Sequence, residues 1–178
     1  MRKITFGGAI SLDNYLARLD DGVDWLQWSD EAAEIMGDYW STIDTVLMGR
    51  KTYEVALRKG PQGSMPGITG YVFSRTLTSL PDKNAVLVRE NAAEVVREMK
   101  SGKGKDICLM GGGSLAKTLF EANLIDEIGF NIHPVLLGSG IPVYHIMNCE
   151  TKLELMKCKP FKNGCVYVQY QVKPKLNK

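Results

Sequence analysis

The chain has 178 residues, 44% of them hydrophobic and 24% charged, a size for a single domain and a composition that excludes bulk disorder. With 22 Lys and Arg against 20 Asp and Glu, the net charge of +2 comes without runs of like charge, so there is no electrostatic footprint for nucleic acid. No window approaches the ~18 consecutive apolar residues of a membrane span, and the N-terminal MRKITFGGAI lacks the apolar stretch of a secretory signal, so no membrane partner and a cytoplasmic location are expected.

Residues 3–10 read as a strand and residues 11–27 as a long irregular loop. Ala32, Ala33, Ile35, Met36, Tyr39 and Trp40 recur at helical spacing, which predicts a helix over 30–40. Residues 45–48 form a short buried strand, and Gly49 opens a helix that runs to about residue 58. Six Gly and Pro residues punctuate 59–70, predicting a mobile surface loop. Strands over 71–73 and 85–88 flank a Pro-containing turn, and a helix over 92–99 stops at Ser101-Gly102-Lys103-Gly104. A strand over 106–110, a helix over 112–122 and a strand over 125–133 follow. Beyond Pro134 the pattern is all-β, with paired strands over 152–158 and 165–172 before a polar tail. Strand–helix alternation followed by terminal strands predicts an α/β sandwich whose parallel sheet carries an antiparallel edge. No linker or internal repeat divides it.

Cys108, Cys149, Cys158 and Cys165 form no C-x-x-C pair, and His133 and His145 are the two histidines. Zinc sites want close ligand pairs, so no metal is expected and the thiols are read as buried and reduced.

Two segments repeat one design, a buried strand, a glycine and a helix start: TVLMGRKTYE over 45–54 and DICLMGGGSLAKTLF over 106–120. A helix start offers unpaired N–H groups and the positive end of its dipole, and glycine lets a ligand approach the backbone. Together they favour a diphosphate-bearing ligand. Gly111, Gly113 and Ala116 also fit a dinucleotide fingerprint, but it sits late in the chain with no acid near residues 131–135. The run from Gly111 to Thr118 lacks the second glycine of a triphosphatase loop. Ser74, Arg75 and Thr76 end a strand with two hydroxyls around an arginine. With Arg50, Lys51 and Thr52 they make a 2′-phosphate pocket plausible, favouring NADP over NAD.

These stretches, with Ala9-x-Ser11-Leu12-Asp13-x-Tyr15-Leu16-Ala17 and Pro134-Val135-Leu136-Leu137-Gly138-Ser139-Gly140-Ile141-Pro142, come in the order of a known family and span nearly the whole chain. The chain resembles the dihydrofolate reductase-like proteins, and within them the C-terminal reductase domain of the bifunctional riboflavin-biosynthesis deaminase/reductase. The resemblance implies a three-layer sandwich with a mixed, mainly parallel eight-stranded sheet, and NADPH-dependent reduction. It implies that Gly49, Arg50 and Thr52 face the cofactor phosphates, and that Ser74, Arg75 and Thr76 lie at the 2′-phosphate. Gly111, Gly112, Gly113, Ser114 and Leu115 would cradle the pyrophosphate and nicotinamide side. Ala9 and Ser11, with the loop through Asp13, would lie by the nicotinamide and the substrate mouth. Two positions depart from the pattern: Met110 stands where a glutamate is usual before the glycines, and Asn14 replaces a glycine.

The candidate acids are Asp13, Asp30 and Glu31. The last two are positional analogues of the carboxylate that binds the pterin in folate enzymes, yet Ser29 before them is a good N-cap and acids there offset the helix dipole. Asp13 has the alternative of an Asx-turn. Trp25 and Trp28 read as core or as walls for a flat heterocycle. His133 and His145 read as structural, and Asp20, Asp21 and Asp24 as a solvated turn. The expectation is an NADPH-dependent reductase of a small heterocyclic or carbonyl substrate, working as a homodimer. A non-catalytic nucleotide-binding module of the same fold is the alternative.

Overall fold

The sheet is built outward from β1 (Ile4–Ser11), whose alternate residues serve two different layers. Ile4, Phe6 and Ile10 enter the larger core, while Thr5, Gly7 and Ala9 face the opposite side. The computed structural model describes residues 1–58, 67–148 and 150–173. The chain continues through β2 (Tyr15–Ala17), α1 (Asp30–Ser41), β3 (Ile43–Gly49), α2 (Arg50–Arg58), β4 (Thr69–Phe73) and β5 (Ala85–Val88). It then forms α3 (Ala92–Ser101), β6 (Asp106–Met110), α4 (Gly113–Glu121), β7 (Glu127–His133), β8 (Ile141–Pro142), β9 (Leu153–Pro160) and β10 (Val166–Val172).

Eight strands pair in the order β5-β4-β3-β6-β1-β7-β10-β9. The first six run parallel, and β10 and β9 add on antiparallel. This is the mainly parallel eight-stranded sheet with an antiparallel edge that the sequence pattern and the resemblance predict. Helices α3 and α4 cover the face carrying Phe6, which meets Phe120, Phe130 and Tyr144 edge-on at 5.7, 5.2 and 5.9 Å. Helices α1 and α2 cover the other face, where Tyr39, Trp40 and Tyr53 pack over Val46, Met48, Val72 and Cys108. Lys100 of α3 is buried, donates to the Leu124 carbonyl at 3.0 Å and pairs with Asp126, whose carboxylate accepts the Ile4 N–H at 2.8 Å.

Three expectations need correction. The segment 11–27 is not wholly irregular, because β2 pairs antiparallel with β8 at Tyr15↔Pro142 and Ala17↔Ile141. Three half-buried residues are too short a run for alternation to reveal. Cys108 and Cys165 are buried, but Cys158 is exposed because β9 is the sheet's outer strand; Cys149 lies outside the described residues. Most of the predicted loop over 59–70 also lies outside the described residues, and its end is already strand, since Thr69 pairs with Thr45.

Trimming Phe6 removes edge-on ring contacts at the centre of the larger core. Phe6→Leu is expected to lower the unfolding free energy by about 1–2 kcal/mol, read from urea denaturation followed by circular dichroism.

Candidate functional site

The C-terminal ends of four adjacent strands, β4, β3, β6 and β1, bring the candidate cofactor residues into one row. Gly49 pairs with Phe73, Met48 with Met110, and Met110 with Gly7. Ser74-Arg75-Thr76, Gly49-Arg50-Lys51-Thr52 and Gly111-Gly112-Gly113 therefore leave the sheet side by side, next to Ala9, which is still paired with Asn131 inside β1. Thr52, in the first turn of α2, packs so closely on Gly111 that a Cβ there would collide with its hydroxyl. Gly111 and Gly113 hold positive φ of 84° and 69°, a turn that glycine adopts without steric cost.

The four helix starts fall into two kinds. The α1 N-terminus is closed by Ser29, which accepts the Ala32 N–H at 3.2 Å, with Asp30 and Glu31 in the first turn. Asn91 caps α3 in the same way at 3.0 Å, with Glu94 following. Helix α4 has no side-chain cap and no acid in its first turn, and α2 begins with Arg50 and Lys51, again without an acid. These two uncapped or cationic starts are the ones behind the glycines. Arg75 is exposed and forms no ion pair among the described residues, whereas Arg50 reaches Glu54 at 3.3 Å. Ser74 is already engaged locally, its hydroxyl accepting the N–H groups of Thr76 and Leu77 at 3.2 and 3.0 Å. Ser114 is exposed, and Leu115 turns its side chain into the core, leaving its backbone to face the turn.

Beside this row, between α1 and the bare face of β1 and β7, lies a pocket of about 210 Å³. Gly7 and Gly129 pair across the two strands and give it a floor without side chains. Ile35, Met36, Tyr39 and Trp40 of α1 form its roof, with Trp28, Met110, Phe161 and Tyr167 around the rim. Trp28, read from sequence as core or pocket wall, lines the pocket and is 72% exposed. Trp25 is core, packed edge-on against His133 at 5.3 Å.

The three candidate acids do not line this pocket. Asp13 accepts the Ser11 hydroxyl at 2.6 Å and the N–H groups of Leu137 and Gly138 at 3.1 and 2.8 Å. The Ser11 hydrogen bond, with those backbone donors, holds its carboxyl below the usual range, and the arrangement ties the loop after β1 to the 137–138 turn. Ser11 is buried, and its hydroxyl also accepts the Tyr15 N–H at 2.9 Å. Asp30 is exposed at the start of α1, and Glu31 accepts the Lys162 N–H at 3.5 Å.

Sequence reading missed Asn131 and gave His133 a purely structural part; both line the pocket. His133 is buried, and its Nδ1 accepts the Gln27 N–H at 3.2 Å beside the Cys165 thiol at 3.4 Å. With Nδ1 an acceptor, the neutral ring carries its proton on Nε2, which lies 3.2 Å from the Asn131 carboxamide. Turning the amide oxygen to that N–H pairs the Asn131 Oδ1, which is otherwise buried without a partner. Burial holds His133 below the ordinary imidazole value. The Tyr39 hydroxyl, beside Cys108, forms no hydrogen bond of standard geometry, and burial pushes its pKa up. Only the packing of α1 on the sheet brings these groups together, so no local motif signals them.

A three-layer α/β fold with an open glycine edge and an apolar pocket is the class these features define. Residues 2–167 match the model of the RibD C-terminal domain, and the chain belongs to that family. It is 35% identical over 161 residues to the uncharacterized protein YwjB of Bacillus subtilis, covering 90% of this chain and 92% of that one. A second uncharacterized protein of that organism, YyaP, is 31% identical over 180 residues, with 95% and 94% covered. In fold it is similar to a putative riboflavin biosynthesis protein from Shewanella sp. PV-4, with a TM-score of 0.80 at 24% identity, covering 98% of this chain and all of that one. Dihydrofolate reductase from Enterococcus faecalis, complexed with NADP(H), superposes with a TM-score of 0.69 at 14% identity over 97% of each chain.

The His133 environment carries a pH dependence. The unfolded chain takes up a proton at the ordinary imidazole value of 6.5, whereas the folded ring stays neutral to a lower pH. Its contribution to stability is therefore complete above pH 6.5 and is lost as the pH falls through the depressed folded value. Urea midpoints are expected to decline as the pH falls below 6.5, and His133→Gln to flatten that decline.

Proposed function

We propose that the chain is an NADPH-dependent reductase that delivers hydride to a small heterocyclic or carbonyl substrate. The reading is carried by the two helix starts behind Gly49 and Gly111, which lack the acids that occupy the first turns of α1 and α3. Phosphate favours such ends, because unpaired N–H groups and the helix dipole both point at it. The residues fit the cofactor: the N-terminus of α4 and its glycine turn would hold the pyrophosphate, Arg50 and Lys51 would add positive charge, and the free guanidinium of Arg75 would take the 2′-phosphate. Bound there, NADPH supplies the hydride. Ala9, on both the strand row and the pocket wall, would set the nicotinamide against the substrate.

Membership of the RibD C-terminal family supports a reductase-type activity, and no described helix is long and apolar enough to cross a membrane. A homodimer belongs to the same reading, supported by the outer strand β9, which exposes Leu153, Leu155 and Met156. The absence of Asp and Glu among the described lining residues favours one second reading, a nucleotide-binding module without turnover.

Calorimetric titration with NADPH and NADH tests the cofactor half. NADPH is expected to bind at least about tenfold more tightly than NADH, with the difference largely lost in Arg75→Ala, as for removal of a charge-assisted phosphate contact. Failure of either nucleotide to bind the folded protein overturns the reading. Cofactor binding without oxidation by any ketone, quinone, pterin or pyrimidine favours the module.

A further inference from the structure

We propose that the pocket between α1 and the Gly7–Gly129 floor takes a flat, uncharged compound of one or two rings with a carbonyl or ring-nitrogen edge, and, resting on the reductase reading, that this compound is the hydride acceptor. An apolar cavity of about 150 Å³ holds benzene, and this pocket, at about 210 Å³, has room for a somewhat larger ring system.

Charge decides the class of ligand. None of the described residues lining the pocket is Asp, Glu, Lys or Arg. A charged compound entering it would give up hydration without gaining a counter-ion, a cost that neutral rings avoid. The polar lining groups are themselves uncharged. The imidazole of His133 is held neutral by burial and by the donors at its Nδ1. Arg50, Lys51 and Arg75, the groups suited to phosphate, stand outside the lining, so recognition of phosphate is separated from recognition of the ring.

Shape and hydrogen bonding narrow it further. The paired glycines leave backbone as the floor, against which a flat ring can lie. A Cβ on Gly7 would run into the Gly129 carbonyl, and one on Gly129 would come within 3.1 Å of the Tyr167 hydroxyl. At the rim, Trp28 is 72% exposed and presents its indole for stacking. One lining residue, Tyr39, carries a buried hydroxyl that forms no hydrogen bond of standard geometry. A buried group of this kind is costly to leave unpaired, and a carbonyl or ring nitrogen can accept from the Tyr39 hydroxyl.

The test is calorimetry near neutral pH with 2-acetylnaphthalene and quinoline as neutral probes and 2-naphthalenesulfonate as the charged one. Each is titrated into the full chain with and without saturating NADPH. The neutral probes are expected to bind, the sulfonate at least about 30-fold more weakly, as the desolvation of an unpaired charge requires. Trp28→Ala, at an exposed position that leaves thermal unfolding unchanged, is expected to weaken the neutral probes about tenfold through lost stacking. Equal or tighter sulfonate binding, no binding of either neutral probe at its solubility limit, or unchanged affinity in Trp28→Ala overturns the proposal. Neutral-ring binding in a protein that does not bind NADPH upholds the ring pocket and removes its role as a hydride-acceptor site. NADPH binding with a preference for the sulfonate upholds the cofactor site and overturns the ring pocket.

Discussion

The pairing of Gly7 with Gly129 across β1 and β7 is the constraint from which the rest of the site follows. A parallel sheet covered by helices on both faces is normally filled with branched side chains on each side. Here one face of the central strand is filled, by Ile4, Phe6 and Ile10, and the other is stripped to Thr5, Gly7 and Ala9. Helix α1 cannot close that gap, because it meets the sheet on either side of the hollow, through Ala32 near Phe161 and Cys165 and through Tyr39 and Trp40 near Val46 and Cys108. The pocket is thus spanned by a helix anchored at both ends. Phe6 and its three ring partners hold the strand from behind while nothing packs on Gly7 in front.

The same economy of side chains governs the row of turns beside the pocket. The glycine after β6 lets Thr52 and Gly111 approach closely, so the first turn of α2 and the turn before α4 converge. Two other helices in the protein close their N-termini with Ser29 and Asn91 and place acids after them. That contrast gives the open ends meaning. A single helix start without an acid is common, but two neighbouring ones, in a chain that places acids at its other two, favour negative charge at that edge.

The fold was legible because long, strongly patterned segments carry it. The strand over residues 85–88 and the one over 106–110 match β5 and β6 to the residue, and the helix starts were marked by Ser29 and by the glycines. The adjacency of the glycine turns was legible for a related reason, since strand–glycine–helix is a local motif and its members need only end a parallel sheet at adjacent strands. The pocket was not legible in this way. Asn131 and His133 look like ordinary alternate residues at the end of a strand, and their meeting with Gln27, Tyr39 and Cys165 depends on contacts far apart in sequence. Asp13 was conspicuous in the sequence for the wrong reason: its carboxylate is consumed by Ser11, Leu137 and Gly138, holding one loop to another.

Met110 joins these two halves of the molecule. It ends β6 immediately before the glycine turn and also lines the pocket, so whatever side chain stands there lies at the junction of the two. A carboxylate at that point would place a charge at the junction of an apolar pocket and a phosphate-attracting edge, and would demand a polar partner in any ligand. Methionine demands none, and its thioether adapts to a ring of varied outline. The substitution is consistent with the rest of the lining: His133 neutral, Tyr39 protonated, and the cations kept to the outer turns. The described lining offers no Asp or Glu, so on the reductase reading the proton that completes the reaction would come from solvent at the rim.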